Sequence, residues 1–144
     1  MKKILYIFIL MNLVSCKENQ IDSQKKIDYV DVDDKGNAKK AQTISDEIKE
    51  IGDLYQPEIM KQEELKNNNG KNNYQYTLTN SDLLDTDIEN LKTHSRKIVS
   101  NYYKFLIRIN VPFNYDKIFV KIIHRNGKMD IFKYSEKEIQ EIIK

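Results

Sequence analysis

The 144-residue chain has one cysteine, two histidines, two prolines, four glycines and no tryptophan. A lone thiol, Cys16, excludes an internal disulfide. The two histidines, His94 and His124, lie far apart and match no metal-ligand spacing, so neither a metal nor another cofactor is expected. There is no glycine-rich phosphate loop, no G-x-S-x-G nucleophile elbow and no H-E-x-x-H pair, which leaves no residue to assign to catalysis. The acidic run D-V-D-D-K-G-N, with Asp31, Asp33 and Asp34, opens like a calcium loop. It fails at its fifth position, Lys35, and at its twelfth, Gln42, where a bidentate glutamate is needed. It reads as an acidic surface turn.

The amino terminus carries the strongest pattern. Residues 1–16 read MKKILYIFILMNLVSC. Lys2 and Lys3 form a basic start and Ile4 to Met11 an apolar run, the layout of an export signal. The run is too short for a bilayer, which takes about 20 residues. The segment Leu13-Val14-Ser15-Cys16 resembles the lipobox of bacterial lipoproteins. That resemblance covers only the leader. It implies cleavage before Cys16, two acyl chains on its sulfur and a new amino group open to a third. One chain binds marginally, whereas two hold durably, each buried CH₂ contributing about 0.8 kcal/mol. An ordinary cleaved signal and an uncleaved N-terminal helix are the alternatives.

Three segments follow: a signal peptide over 1–15, an acylated cysteine with a polar tether over 16–26, and a single small domain over 27–144. The expected location is the bacterial cell envelope, with membrane lipid as a partner through Cys16. Lys17 stands where enterobacterial lipoproteins retained in the inner membrane carry aspartate, which points to the outer membrane if the host is Gram-negative. Once the two leader lysines are set aside, 22 basic and 22 acidic residues remain. The pI of about 8.4 is therefore no nucleic-acid signal, and none is expected as a partner.

Periodicity outlines the domain. Ile27 to Val32 alternates as an edge strand or an extended arm. Ile44, Ile48, Ile51 and Tyr55 form one helical stripe, with Thr43 or Ser45 as its cap. Pro57 closes that element or opens a short helix running through Leu65. The run NNNGKNN over 67–73 is a loop. Tyr74, Tyr76 and Leu78 alternate as a half-buried strand. A long amphipathic helix is expected from about Asp87 to Ile109, with a stripe of Ile88, Leu91, Ser95, Ile98, Tyr102, Phe105 and Ile109 and a capping box from Thr86 to Glu89.

After the Val111-Pro112-Phe113-Asn114 turn, Asn126-Gly127 predicts a β-hairpin with a two-residue type I′ turn. That register pairs His124 with Met129, Ile122 with Ile131 and Val120 with Lys133. It sets Ile118, Val120, Ile122 and Ile131 against the long helix. Phe119, Ile123, Phe132 and Tyr134 then line the other face, to be covered by the N-terminal helix or by a partner. Ser135 and Glu138 predict a capping box for a final short helix, with Tyr134 and Ile139 as its hydrophobic staple. The fold class is α+β, a small antiparallel sheet whose C-terminal hairpin packs on the long helix.

Function follows only in outline. His94 reads as a solvated surface histidine, and Asp82, Asp85, Asp87 and Glu89 as residues of a helix start. Tyr103, Phe119, Phe132 and Tyr134 are the aromatic candidates for an interface, the alternative being a sheet covered on both sides by its own helices. His124, beside the hairpin turn, is a structural or surface residue or, with Arg125, a recognition pair. The expected role is an anchored, non-enzymatic protein that binds or supports an envelope partner. The alternative is a small envelope hydrolase or ligand-binding module, which would need a concave pocket with converging polar groups.

Overall fold

The computed structural model describes residues 28–31, 45–111 and 115–144. The leader, Cys16, the tether, the acidic turn beyond Asp31 and residues 112–114 lie outside them. Strand β1 (Asp28–Asp31) precedes α1 (Asp46–Tyr55), β2 (Ile59–Lys66) and β3 (Asn72–Thr79). Then come α2 (Asp82–Thr86), a 3-10 turn (Ile88–Asn90) and α3 (Leu91–Arg108). Strands β4 (Tyr115–Ile123) and β5 (Met129–Ser135) and helix α4 (Glu136–Ile142) complete the described chain.

Helix α1 begins at Ser45, whose hydroxyl accepts the Ile48 N–H at 3.4 Å. It buries Ile48, Ile51 and Tyr55, the stripe its spacing requires. Gln56 ends it in the left-handed region, φ 41°, with its N–H on the Gly52 carbonyl. The next element is a strand, not the expected helix through Leu65. Residues 61–66, KQEELK, are good helix formers, but the ladder overrides that preference. Met60 and Gln62 alternate inward, and β2 is paired along its whole length with β3.

The described strands form one sheet in the order β1-β2-β3-β4-β5. Pairs β2–β3 and β4–β5 are antiparallel, whereas β1–β2 and β3–β4 are parallel. The fold is α+β, and the hairpin packs on α3, but the sheet is mixed rather than antiparallel throughout. The reason is topological. Only the two hairpins reverse direction by turns, while each parallel pair is joined by a crossover that holds helices.

Register places Met60, Leu78 and Ile122 in one inward row, and Gln62, Tyr76, Val120 and Phe132 in the next. Tyr74, Ile118 and Tyr134 form a third row. The described helices all contribute to the core on this side, through residues such as Tyr55, Leu84, Ile98 and Ile139. Each large aliphatic side chain fully buried here stabilises by about 1.5–3 kcal/mol. The Tyr76 and Tyr102 rings, 4.7 Å apart, tie β3 to α3 at the centre.

Helix α3 starts later than its pattern implies. The Thr86–Glu89 capping box is not made; Thr86 Oγ1 instead donates to the carbonyls of Asp82 and Leu83. Ser81 caps α2, and α3 begins at Leu91 without a side-chain cap. Ile88 and Ile109, the ends of the expected stripe, are exposed.

The hairpin turn also differs. Gly127 is left-handed at φ 81°, but Asn126 is not, so the type I′ geometry is excluded. The His124 N–H donates to the Lys128 carbonyl and the Gly127 N–H to the His124 carbonyl, each at 2.9 Å. The loop is thus Arg125-Asn126-Gly127, a tight turn closed by a glycine bulge. Register slips by one, pairing Ile123 with Met129, Ile122 with Asp130 and Val120 with Phe132. One residue of slip exchanges the two faces of β5. Phe132 and Tyr134 turn to the core, and Ile131 turns away. The expected register would have buried the Lys133 ammonium beside Val120 at high cost. Lys133 lies instead over the Phe119 ring, 5.9 Å from its centroid. At the end of β5 the Ser135–Glu138 capping box is complete, and its staple residues Tyr134 and Ile139 are both buried.

Candidate functional site

Two polar clusters and one open surface carry the chemistry of the domain. The first cluster sits where β3 and β4 end, at the carboxyl ends of two parallel strands. Asn80 leaves β3 with φ 56° and donates to Glu58 Oε2 at 2.7 Å. His124, the first residue after β4, is buried. Its Nδ1 lies 2.7 Å from Asp85 Oδ1 and its Nε2 3.0 Å from Asp130 Oδ2. Arg125 extends outward to Asp82 at 2.8 Å and Glu58 at 2.7 Å. Those two carboxylates raise its already high pKa further, Asp82 first.

This constellation holds structure together. Each ring nitrogen of His124 faces its own carboxylate, so the oxygens converge on the ring rather than on a shared ion position. Among the described residues no group of three or more His, Cys, Asp or Glu is placed to hold a metal. Arg125, the expected recognition residue, already spans β2's approach and α2. His124 and Arg125 are brought together, as their adjacency requires, but as a clamp between hairpin and α2.

The second cluster joins α1 to α3. His94 is half-buried rather than solvated. Its Nε2 lies 2.8 Å from Asp87 Oδ2 and its Nδ1 3.3 Å from the Tyr55 hydroxyl. The rings meet edge to face, 5.5 Å between centroids. The hydrogen bond from His94, then one from Asn90, holds the Asp87 carboxyl below its usual range. Burial pushes the Tyr55 hydroxyl up to about 12, with a smaller contribution from Glu50. The sequence signals for both clusters were the acidic residues around α2, read only as a helix start.

The aromatic candidates divide. Tyr103 is buried, with its hydroxyl accepting from Gln140 Nε2 at 2.9 Å. Tyr134 is buried against α3, its hydroxyl paired with Ser95. Phe132 is half-buried on the core side. Phe119 alone of the four lies on the outer sheet face, also half-buried.

That outer face is the open surface. Register sets Ile59, Thr79, Ile123 and Met129 in one row across β2 to β5, with Ile131 in the adjacent row. Ile59, Met129 and Ile131 are 42%, 56% and 50% exposed. Thr77 is buried on this face, but no apolar outer-face residue belongs to the core in which the described helices pack. The N-terminal helix, expected as one possible cover, packs against α3 on the inner side. Beside β5, the edge strand, runs a groove of about 790 Å³ between residues 131–134 of that strand and the α3 and α4 walls. Lys92 and Arg96 line it from α3, and Glu138 and Glu141 from α4.

No family model, no curated protein and no solved structure matches this chain. Among the described residues no helix is long and apolar enough to cross a membrane.

Proposed function

We propose that this chain is a lipid-anchored protein of the bacterial cell envelope that binds another envelope protein through the sheet face its described helices leave open. The observation that carries the binding role is the set of exposed apolar side chains on that face. A charged, well-capped small domain has no folding reason to expose Ile59, Met129 and Ile131 together with Ile123 and Phe119 beside them. Ile123, Met129 and Ile131 adjoin at the β4–β5 end of that face, with Ile59 beyond Thr79, and adjoining apolar exposure of this kind marks interaction surfaces. Four strands at about 4.8 Å spacing give the row a width of about 14 Å, enough for several partner side chains. The anchor rests on the leader and on Cys16, the one position where two acyl chains would hold the protein durably.

The test is a pull-down of the full, C-terminally tagged chain from gently solubilised membranes, with partner bands quantified. A near-stoichiometric partner retained by wild type and lost in Ile131→Lys, with the variant folded, is the expected result. Cys16→Ala should shift the protein out of the membrane fraction. A folded wild-type protein with no partner sinks the binding role, and membrane retention of Cys16→Ala sinks the anchor.

A further inference from the structure

Strand β5 is the end strand of the described sheet, and it is seven residues long without a proline or a bulge inside it. Natural edge strands are usually kept from pairing by short length, proline, bulges or charge, especially lysine; of the charged residues β5 carries Asp130 and the single lysine Lys133. Its main-chain pattern follows from the turn. Because the His124 N–H meets the Lys128 carbonyl, the bonded pairs of the β4–β5 ladder recur at alternate residues: Ile122–Asp130, Val120–Phe132 and Ile118–Tyr134. Ile131 and Lys133 therefore direct their N–H and C=O groups outward, along the edge. Asp130, the one carboxylate within the strand, is already engaged by His124.

The groove beside this edge is chemically biased. Lys92 and Arg96 are one turn apart on α3 and close no ion pair with a described carboxylate. Of the carboxylates that line the groove, Glu138 is occupied in the α4 cap. The Ser135 N–H first, and then the Ser135 hydroxyl, hold its carboxyl below the usual range, with Lys92 and Arg96 adding a smaller through-space effect. Two cations of α3 thus face the groove with their hydrogen-bonding capacity unspent, while Glu138 and Glu141 on the α4 wall direct an acidic segment to the α3 side. Their separation along the helix is about 6 Å, close to the roughly 6.8 Å between alternate residues of a strand.

We propose that the free edge of β5 accepts an extended acidic segment of a partner protein as a sixth strand, with its inward carboxylates on Lys92 and Arg96. The proposal rests on the reading of the outer face as a protein-docking surface, and it names the partner's chemistry. An added strand alternates its side chains. Those turned toward the helices meet Lys92, Arg96 and Tyr134. Those turned the other way lie beside Ile131 and lengthen the apolar face. The fitting segment therefore alternates acidic and apolar residues and has no proline at the positions that bond Ile131 and Lys133.

The experiment is a selection of random linear peptides on the full chain, followed by affinity measurement of the enriched peptides. Alternating acidic and apolar residues should dominate the selected set. Binding should weaken by roughly tenfold or more in Lys92→Glu/Arg96→Glu, and also in Lys133→Pro, which removes one outward donor that β4 does not use. In wild type, the Ile131 and Lys133 amides should gain exchange protection when the peptide binds, a reading that does not depend on any variant folding. Absence of acidic alternation, unchanged affinity in the charge-reversed variant, or no new amide protection overturns the proposal. Peptides that lose affinity only in Ile59→Lys, on the far side of the open face, would overturn it while leaving the broader docking role standing.

Discussion

His124 Nδ1 lies 2.7 Å from Asp85 Oδ1, and that bond joins the turn of the β4–β5 hairpin to α2. The opposite side of the ring is held by Asp130, the second residue of β5. One buried side chain thus fixes the hairpin tip against the helix that follows β3. Asp85→Ala leaves a buried ring nitrogen without its partner and should cost about 1–3 kcal/mol. Denaturant unfolding of Asp85→Ala, His124→Ala and the double variant checks it. Additive single effects would mean the two residues do not act as a unit.

The hairpin turn discriminates between two geometries. In the structure only Gly127 needs a left-handed backbone, and a Cβ there meets nothing within 4 Å, so Gly127→Ala carries backbone strain alone, about 1 kcal/mol. Asn126 contributes a 2.9 Å bond from the Lys128 N–H to its side chain. Asn126→Ala should therefore cost less, about 0.5 kcal/mol. Equal losses in the two variants would restore the two-residue turn.

Much of the fold was legible because local signals agreed. The α1 stripe, the β3 alternation, the hairpin's existence and the Ser135–Glu138 cap each appear where their residues place them. The misreadings share a physical cause, which is information held outside the local window. Residues 61–66 favour helix until β3 is beside them. Asn126-Gly127 suits two turns that differ by one residue, and the choice is made by which of Ile131 and Phe132 the core accepts. Lys133 was the overlooked signal, since the shorter turn placed an ammonium in the core. The two histidine clusters could not be read at all, because His94 and His124 find Asp87, Tyr55, Asp85 and Asp130 through tertiary contact. The open surface was half legible: an apolar second face was expected on β4, but its β5 members were exchanged by the register.

Acid stability should depend in part on two carboxyls, Asp87 and Glu138, beside Glu47, which is lowered in the same direction. Asp87 sits below its ordinary value of 3.8, chiefly through His94. Glu138 sits below 4.5, chiefly through the Ser135 N–H. A depressed folded value gives a contribution that is complete above the unfolded value and is lost as pH falls through the folded one. Wild-type stability should therefore begin to fall below a pH of about 4.5 and continue below 3.8. Asp87→Asn/Glu138→Gln should show a flatter acid limb in denaturant midpoints taken across that range. Parallel curves for the two proteins would refute the assignment.

Alkaline stability should depend on Tyr55. Burial raises its hydroxyl from 10.0 to about 12, so its contribution is whole below 10.0 and declines as pH rises towards 12. Tyr74 and Tyr134 are raised in the same direction, each chiefly by burial. Because the chain has no tryptophan, tyrosinate absorbance follows this ionisation without interference. The folded protein should ionise a subset of tyrosines only above pH 10, and Tyr55→Phe should remove one late step. A late step of unchanged size in Tyr55→Phe would assign it to another tyrosine.

The most informative pair of substitutions is on adjacent residues of β5. Ile131 is half exposed on the outer face, whereas Phe132 packs against the core from the inner one. Threonine suits a strand at either position, so Ile131→Thr and Phe132→Thr differ mainly in burial. Ile131→Thr should change stability by no more than about 0.5 kcal/mol, the range for surface positions. Phe132→Thr should cost about 2 kcal/mol or more, from lost burial and the space left beside Val120. Reversal of that order would reinstate the slipped register, return Ile131 to the core and transfer the open face to Phe132 and Tyr134. The docking surface would then be made of different residues. Denaturant midpoints of the two variants therefore test the face assignment on which any binding experiment with this domain depends.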